Sequence, residues 1–263
     1  MEFGMPTLAE LPGFEENARL CGELGFSFLE LNMNFPPYQI ERLRDLASLR
    51  DAAARYGIYY TIHLDENMNV CDFNHAVAAA YRDTVRQCVE VARALGMPLI
   101  NMHLHKGVYV TLPDRKLYLF EQYREEYWES IRHFRLLGEQ WAGGSGVRIA
   151  IENTGGFAPF EREAIAYLLQ SPIFALTWDI GHSHAARESD MPFLLQNEHK
   201  LAHFHIHDAV GTQNHLPLGT GEIDLAARLQ AAARGGCRCV VETKTVAALR
   251  QSARWLKERG KWN

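Results

Sequence analysis

The chain has 263 residues, 47% of them hydrophobic and 22% charged, which allows one large core and is ordinary for a single globular domain. A net charge of -5 with a pI near 6.2 and no run of basic residues gives no electrostatic footprint for nucleic acid, so small-molecule chemistry is the expectation. No apolar run reaches membrane-spanning length, the start does not read as a signal peptide, and the five scattered cysteines form no CxxC pair; together these predict a cytoplasmic protein with reduced thiols and no membrane partner.

Strand and helix alternate along the chain without a linker. Residues 2–5 read as a first strand, and 12–24 as a helix opened by Pro12 and stopped by Gly25. A second strand covers 26–32. Residues 40–56 form the next helix, with Leu43, Leu46, Leu49 and Ala53 at helical spacing and Gly57 as the stop, and 58–63 form the third strand. A long helix over 73–95 ends at Gly96, a fourth strand covers 99–105, and an aromatic-rich helix covers 117–141. The turn 143–146 leads to a fifth strand at 147–152, a helix at 162–169 and a sixth strand at 174–179. A short helix around Phe193, a seventh strand at 201–207, a helix from Asp224 to Ala233, an eighth strand at 239–242 and a helix at 246–258 complete the chain.

Eight strands, each followed by a helix, predict an α/β fold: a (β/α)8 TIM barrel, one domain over 1–263. The alternative, an open doubly wound sheet, lacks its glycine-rich fingerprint after the first strand. Barrel enzymes carry their chemistry at the C-terminal ends of the strands. Those positions hold Asn32, His63, His103 with His105, Glu152, Asp179, His205 with His207, and Glu242. In the run from His203 to His207, histidine alternates with Phe204 and Ile206, so three imidazoles share one face. Carboxylates and an imidazole from consecutive strands would repel or remain unpaired without a divalent cation, and the mixed oxygen and nitrogen donors suit Mn2+, Mg2+, Co2+ or Zn2+.

The segments IENTGG (151–156), TWDIGH (177–182), HIHDAVG continuing to NHLPLGTGEID (205–224), and VVETK (240–244) resemble the xylose-isomerase-like TIM-barrel superfamily of sugar and sugar-phosphate isomerases and epimerases, which also holds the abasic-site endonucleases of AP endonuclease family 2. The resemblance implies a shared metal site of Glu152, Asp179, His205 and Glu242, with Mn2+ as the leading metal and Zn2+, Co2+ or Mg2+ as alternatives. It makes His182 a substrate-facing or extra-metal histidine, and it pairs His63 with either His103 or His105 at a second metal. His215 resembles the nucleases' third-metal histidine, although Gln213 stands where they carry an aspartate. The ketose 3-epimerases hold substrate with an arginine soon after the strand histidine, and none occurs between His205 and Asp224.

The leading reading is therefore a metal-dependent isomerase or epimerase of a small sugar-like carbonyl compound, with Glu152 and Glu242 as the proton-transferring pair. An endonuclease IV-like phosphodiesterase acting on abasic DNA is the alternative, and a barrel that only binds a ligand is the third. The glycines of 218–221 offer a tight turn or a phosphate cradle. Tyr118, Phe120, Tyr123, Tyr127 and Trp128 read as core, with a homodimer face as the alternative.

Overall fold

The computed structural model describes residues 1–260; residues 261–263 of the expected domain lie outside the described residues. Strand β1 (Glu2–Pro6) leads to helix α1 (Phe14–Leu24), which ends where Gly25 turns left-handed at φ 84°. Next come β2 (Phe28–Asn32), α2 (Ile40–Leu43), α3 (Leu46–Tyr56), β3 (Tyr59–His63), α4 (His75–Leu95) and β4 (Leu99–His103). A hairpin of β5 (Tyr109–Thr111) and β6 (Lys116–Tyr118) precedes α5 (Leu119–Gln122) and α6 (Arg124–Ala142). The chain continues through β7 (Arg148–Glu152), α7 (Pro159–Leu169), β8 (Phe174–Asp179), α8 (Ile180–Ala185), α9 (Met191–Gln196) and β9 (Leu201–Ile206). A second hairpin, β10 (Asp208–Val210) with β11 (Gln213–Leu216), is followed by α10 (Leu225–Arg234), β12 (Arg238–Val241) and α11 (Val246–Glu258). Among the described residues no helix is long and apolar enough to cross a membrane.

Strands β1, β2, β3, β4, β7, β8, β9 and β12 close, in that order, into a parallel barrel, as the alternation of strand and helix predicts. The apolar outer face of each strand packs under the helices, with Trp178, Phe204, Ile151 and Met102 all buried there. The inner face is layered. At its base Phe28 stacks on Tyr59 at 5.3 Å, and Gly4 makes room for it, since a Cβ there would lie 2.6 Å from Phe28 Cζ. A small apolar layer of Leu99, Ala150, Ala175 and Ala202 also lines the lower barrel. Above these layers the interior turns polar while staying buried, with Glu30, Thr61, Asn101, Thr177 and His203 all at or below 2% exposure. These buried groups are paired with one another, Thr61 Oγ1 donating to Glu30 Oε2 at 2.8 Å and Thr177 Oγ1 to Asn101 Oδ1 at 2.6 Å.

Three predicted helices differ from the observed ones for local reasons. The helix expected over 40–56 breaks at Asp45, whose carboxylate accepts the Ser48 N–H at 3.2 Å and caps α3. The helix expected from 117 begins later, because Leu112 N–H bonds Arg115 O across Pro113 and Asp114 and folds the flanking residues into a hairpin. The helix expected at 162–169 starts at Pro159, where Glu161 reaches back to the Ala158 N–H at 2.6 Å. Of the aromatic residues expected as core, Phe120 and Tyr127 are buried and stacked at 4.5 Å, Trp128 is partly buried, Tyr123 is exposed, and Tyr118 belongs to the hairpin.

Candidate metal centre

Parallel pairing puts the candidate side chains at one level. His103 pairs in register with Glu152, Asp179 with His205, and His205 with Val240, two residues before Glu242. Glu242 lies one residue past β12, held by its N–H to Ile206 O at 3.0 Å. The result is a ring of carboxylates around one imidazole nitrogen. His205 Nδ1 is 3.1 Å from Glu152 Oε1, 3.2 Å from Glu242 Oε2 and 3.9 Å from Asp179 Oδ2. One donor atom from each of these four residues lies within 4.8 Å of the others, and all four residues are buried.

Burial alone would push these carboxyls towards protonation, but the imidazoles outweigh it. His205 and His103 hold Glu152 well below the usual carboxylate range; His205 and Lys244 do the same for Glu242, and His207 and His182 lower Asp179. In return His205 is raised well above the ordinary histidine value despite its burial. Burial likewise opposes the charge on His63 and His182, yet Glu152 raises His63 to about 9, and Asp179 with Glu152 raises His182 to about 10.

The remaining predicted histidines separate cleanly. His63 Nε2 and His103 Nε2 each stand 3.3 Å from Glu152 Oε2. His105 does not join them: β4 ends at His103, and His105 Nδ1 turns back to accept the Gly107 N–H at 2.9 Å. Of the two alternatives, His103 is the histidine the fold directs at Glu152. His182 follows Asp179 at the start of α8; its N–H bonds Asp179 Oδ1 at 2.6 Å, and its Nδ1 lies 3.6 Å from Glu152 Oε1. His215, on β11, closes over the site with φ 57°, stacks on His207 at 4.3 Å and donates from Nδ1 to Glu242 O at 3.0 Å. Burial pushes its pKa down to about 4, so it is neutral at pH 7.

The donor set fits a divalent cation. Among the described residues Glu242 Oε2 and His103 Nε2 are buried with close ionic neighbours but no well-formed hydrogen bond, and three buried carboxylates converge on a single imidazole nitrogen. Hard oxygens with one imidazole match Mn2+, Mg2+, Co2+ or Zn2+, and would not select a thiolate-preferring metal.

A family model described as xylose isomerase-like TIM barrel matches residues 18–259. The chain belongs to this family. A comparison with curated proteins finds no match. Among solved structures, this family member's fold is similar to a D-tagatose 3-epimerase-like protein, with TM-score 0.77 and 21% identity over 99% of this chain and 97% of the other. It is similar to 3-keto-D-glucoside 4-epimerase, YcjR, from E. coli, with TM-score 0.76 and 17% identity over 98% and 99%. It is also similar to the IolI protein with a binding zinc atom, with TM-score 0.75 and 19% identity over 100% and 99%. At such identities the likeness is one of fold.

Within this xylose isomerase-like barrel, sequence reasoning missed the layer beneath the site. Asn101 donates from Nδ2 to Glu152 Oε2 at 2.5 Å and accepts Thr177 Oγ1–H at 2.6 Å. Glu30 accepts from both His203 and His205. The signal was present: each of these residues stands two positions before a strand-end residue and so shares its face. His207 was placed on the right face but has a supporting role. Its Nδ1 accepts the His215 N–H at 2.8 Å, so the proton sits on Nε2, 3.1 Å from Asp179 Oδ1. Of the two readings of 218–221, the tight turn is the one observed, closed by Thr220 N–H to Pro217 O at 3.2 Å and tied to the chain's own carboxylate. Asp208 accepts Gly219 N–H at 2.9 Å, Ile223 N–H at 3.2 Å and Ala209 N–H at 3.0 Å, which fills the turn.

Proposed function

We propose that the protein is a divalent-metal-dependent isomerase or epimerase of a small sugar or sugar-like carbonyl compound. The observation that carries this reading is the convergence of Glu152, Asp179 and Glu242 on His205 Nδ1 at the C-terminal mouth of the barrel. The printed names of similar structures support it, since they include D-tagatose 3-epimerase-like and 3-keto-D-glucoside 4-epimerase proteins, and one similar structure holds zinc. A cation held by Glu152, Asp179, His205 and Glu242, with Mn2+ first among the candidates, would supply Lewis-acid polarisation of a bound carbonyl.

The chain's own residues supply the proton transfer. Glu152 on β7 and Glu242 after β12 are separated around the barrel by β8 and β9, so they reach the site from different walls. One takes a proton from a carbon next to the carbonyl and ends protonated, while the other, carrying a proton of its own, delivers it to the opposite face and ends ionised, which inverts that carbon. In the substrate-free site both are ionised, with Lys244 Nζ donating to Glu242 Oε1 at 2.8 Å and Asn101 holding Glu152 Oε2, so either can act as the base and its partner takes up a proton from solvent before acting as the acid. In this reading His182, beside Asp179 and Glu152, orients a substrate hydroxyl. The β10–β11 hairpin brings His215 against Glu242, with Nδ1 3.0 Å from Glu242 O.

Incubating the Mn2+-supplemented protein with a panel of ketoses in heavy water tests this. Wild type is expected to incorporate deuterium next to the carbonyl and Glu152→Gln is expected not to. Substantial exchange by Glu152→Gln removes Glu152 from the base role, and no exchange by wild type across the panel counts against the whole reading. One observation favours the phosphodiesterase alternative: His63 and His103 both approach the same oxygen of Glu152, as a bridged second metal requires. Intact duplex after incubation of abasic DNA with the Zn2+- or Mn2+-supplemented protein disposes of it.

A further inference from the structure

Beneath the candidate centre, Glu30 projects from the middle of β2 into the barrel and is 2% exposed. Its Oε1 lies 2.8 Å from His205 Nε2, and its Oε2 lies 3.0 Å from His203 Nε2 and 2.8 Å from Thr61 Oγ1. An ionised carboxylate only accepts hydrogen bonds, so all three partners must donate to it. That arrangement dictates where the protons are. His205 carries one on Nε2, which leaves Nδ1 as the nitrogen presented to Glu152, Asp179 and Glu242. His203 also carries its proton on Nε2, and among the described residues its Nδ1 is buried without a partner, so Glu30 provides the one side-chain hydrogen bond found there to orient that ring.

Glu30, His203 and His205 lie close enough to suggest a metal site of their own, with donor atoms within 4.8 Å. The proton accounting argues otherwise, because every contact to Glu30 is satisfied as an ordinary hydrogen bond of 2.8 to 3.0 Å. We propose that Glu30 is a positioning residue for the metal centre. Seated below the ring, it fixes the tautomer and orientation of His205 so that Nδ1 faces the cation. This rests on the metal-dependent reading above. A carboxylate behind a metal-bound histidine also raises the basicity of the ligating nitrogen, and losing such a partner typically lowers metal affinity 10- to 100-fold. Asn101 supports Glu152 from the same layer, and His207 supports Asp179 from the side, so three of the four proposed ligands have a dedicated buried partner.

The two substitutions at Glu30 should differ in degree. In Glu30→Gln the amide oxygen still accepts the His205 proton, while the amide nitrogen faces His203, whose unpartnered Nδ1 lets that ring change tautomer. The tautomer of His205 is kept and only the charge is lost, so metal affinity is expected to fall about 10-fold. Glu30→Ala removes the acceptor altogether, and the loss is expected to approach 100-fold.

The test measures Mn2+ and Zn2+ dissociation constants of the full chain by chelator competition. It is paired with 15N NMR of the histidine side chains in the Zn2+-loaded protein and thermal melting as a check on folding. The expected result is the graded loss of affinity, together with a slowly exchanging proton on His205 Nε2 in wild type and Glu30→Gln that is lost in Glu30→Ala. Metal affinities of both variants within twofold of wild type, or a proton on Nδ1 of the loaded wild type, overturn the role of Glu30. Should Glu30→Ala fail to fold, Glu30→Gln and the wild-type tautomer still decide the matter. A wild type that binds no divalent cation overturns the proposed function itself, an outcome distinct from one in which the cation binds and Glu30 proves indifferent.

Discussion

Replacing Gly181 with alanine tests how tightly the wall beside Asp179 is built. Gly181 sits in α8 with an ordinary helical backbone, and by propensity alone alanine would be better there by about 1 kcal/mol. Packing reverses the sign. A Cβ on residue 181 would enter the ring of His207, with even the farthest of its three nearest atoms, Nε2, at 2.7 Å. His207 has nowhere to go: it is fully buried, bonded to Asp179 at 3.1 Å and to the His215 N–H at 2.8 Å. Over-packing costs roughly 1–3 kcal/mol. Pulling the imidazole off its partners leaves buried groups unsatisfied at roughly 1–3 kcal/mol each. Set against the helix gain, a net loss of about 3–5 kcal/mol is expected, and for a chain of this size that lowers the melting temperature by roughly 6–20 °C. Urea unfolding of the metal-free proteins measures it. The double variant Gly181→Ala/His207→Ala supplies the decisive arm, because without the ring the added methyl meets no obstacle and the two losses should fall short of additive. A Gly181→Ala protein as stable as wild type, or a cost undiminished when His207 is absent, would refute the reasoning.

The metal-free protein should be most stable near neutral pH. His63 and His182 are raised to about 9 and about 10 from an ordinary value near 6.5, so their contribution is full below pH 6.5 and declines as pH rises through 9 and 10. His215 is depressed to about 4, so its contribution is present above pH 6.5 and lost as pH falls through 4; the lowered carboxylates Glu152, Asp179 and Glu242 add to the loss in acid. Melting in the presence of a chelator from pH 4 to pH 10 should trace a dome, and a flat alkaline limb would contradict the assignments for His63 and His182. Asp208→Ala removes the acceptor for Ala209, Gly219 and Ile223 N–H and is expected to cost roughly 2–4 kcal/mol. Limited proteolysis should then cut between residues 208 and 224, and a resistant loop would show that Asp208 does not anchor it.

The strand ends were legible because barrel geometry turns a one-dimensional alternation into a shared direction. Once Ala150 and Glu152, or Thr177 and Asp179, are assigned to one face of a parallel strand, closure of the barrel must bring those faces together. The alternation of strand and helix, the glycine stops at Gly25, Gly57 and Gly96, and the convergence of Glu152, Asp179, His205 and Glu242 were all contained in the sequence for that reason. The hairpins were harder to see. Residues 109–118 and 208–216 are short pairings set by turn geometry, and the periodicity of a few residues does not separate a strand from a helix end.

What tertiary structure alone decided is partnership across the barrel. Glu30 and His205 are 175 positions apart, and nothing local marks the glutamate of Phe-Leu-Glu-Leu-Asn as the hydrogen-bond acceptor of that histidine. The choice between His103 and His105 had the same character: both have the right chemistry, and only the residue at which β4 leaves the sheet determines which imidazole meets Glu152. Side-chain direction along a strand follows from covalent geometry and can be read from the chain, whereas the depth of each layer and the identity of the opposing residue depend on register and closure, which exist only in the folded barrel.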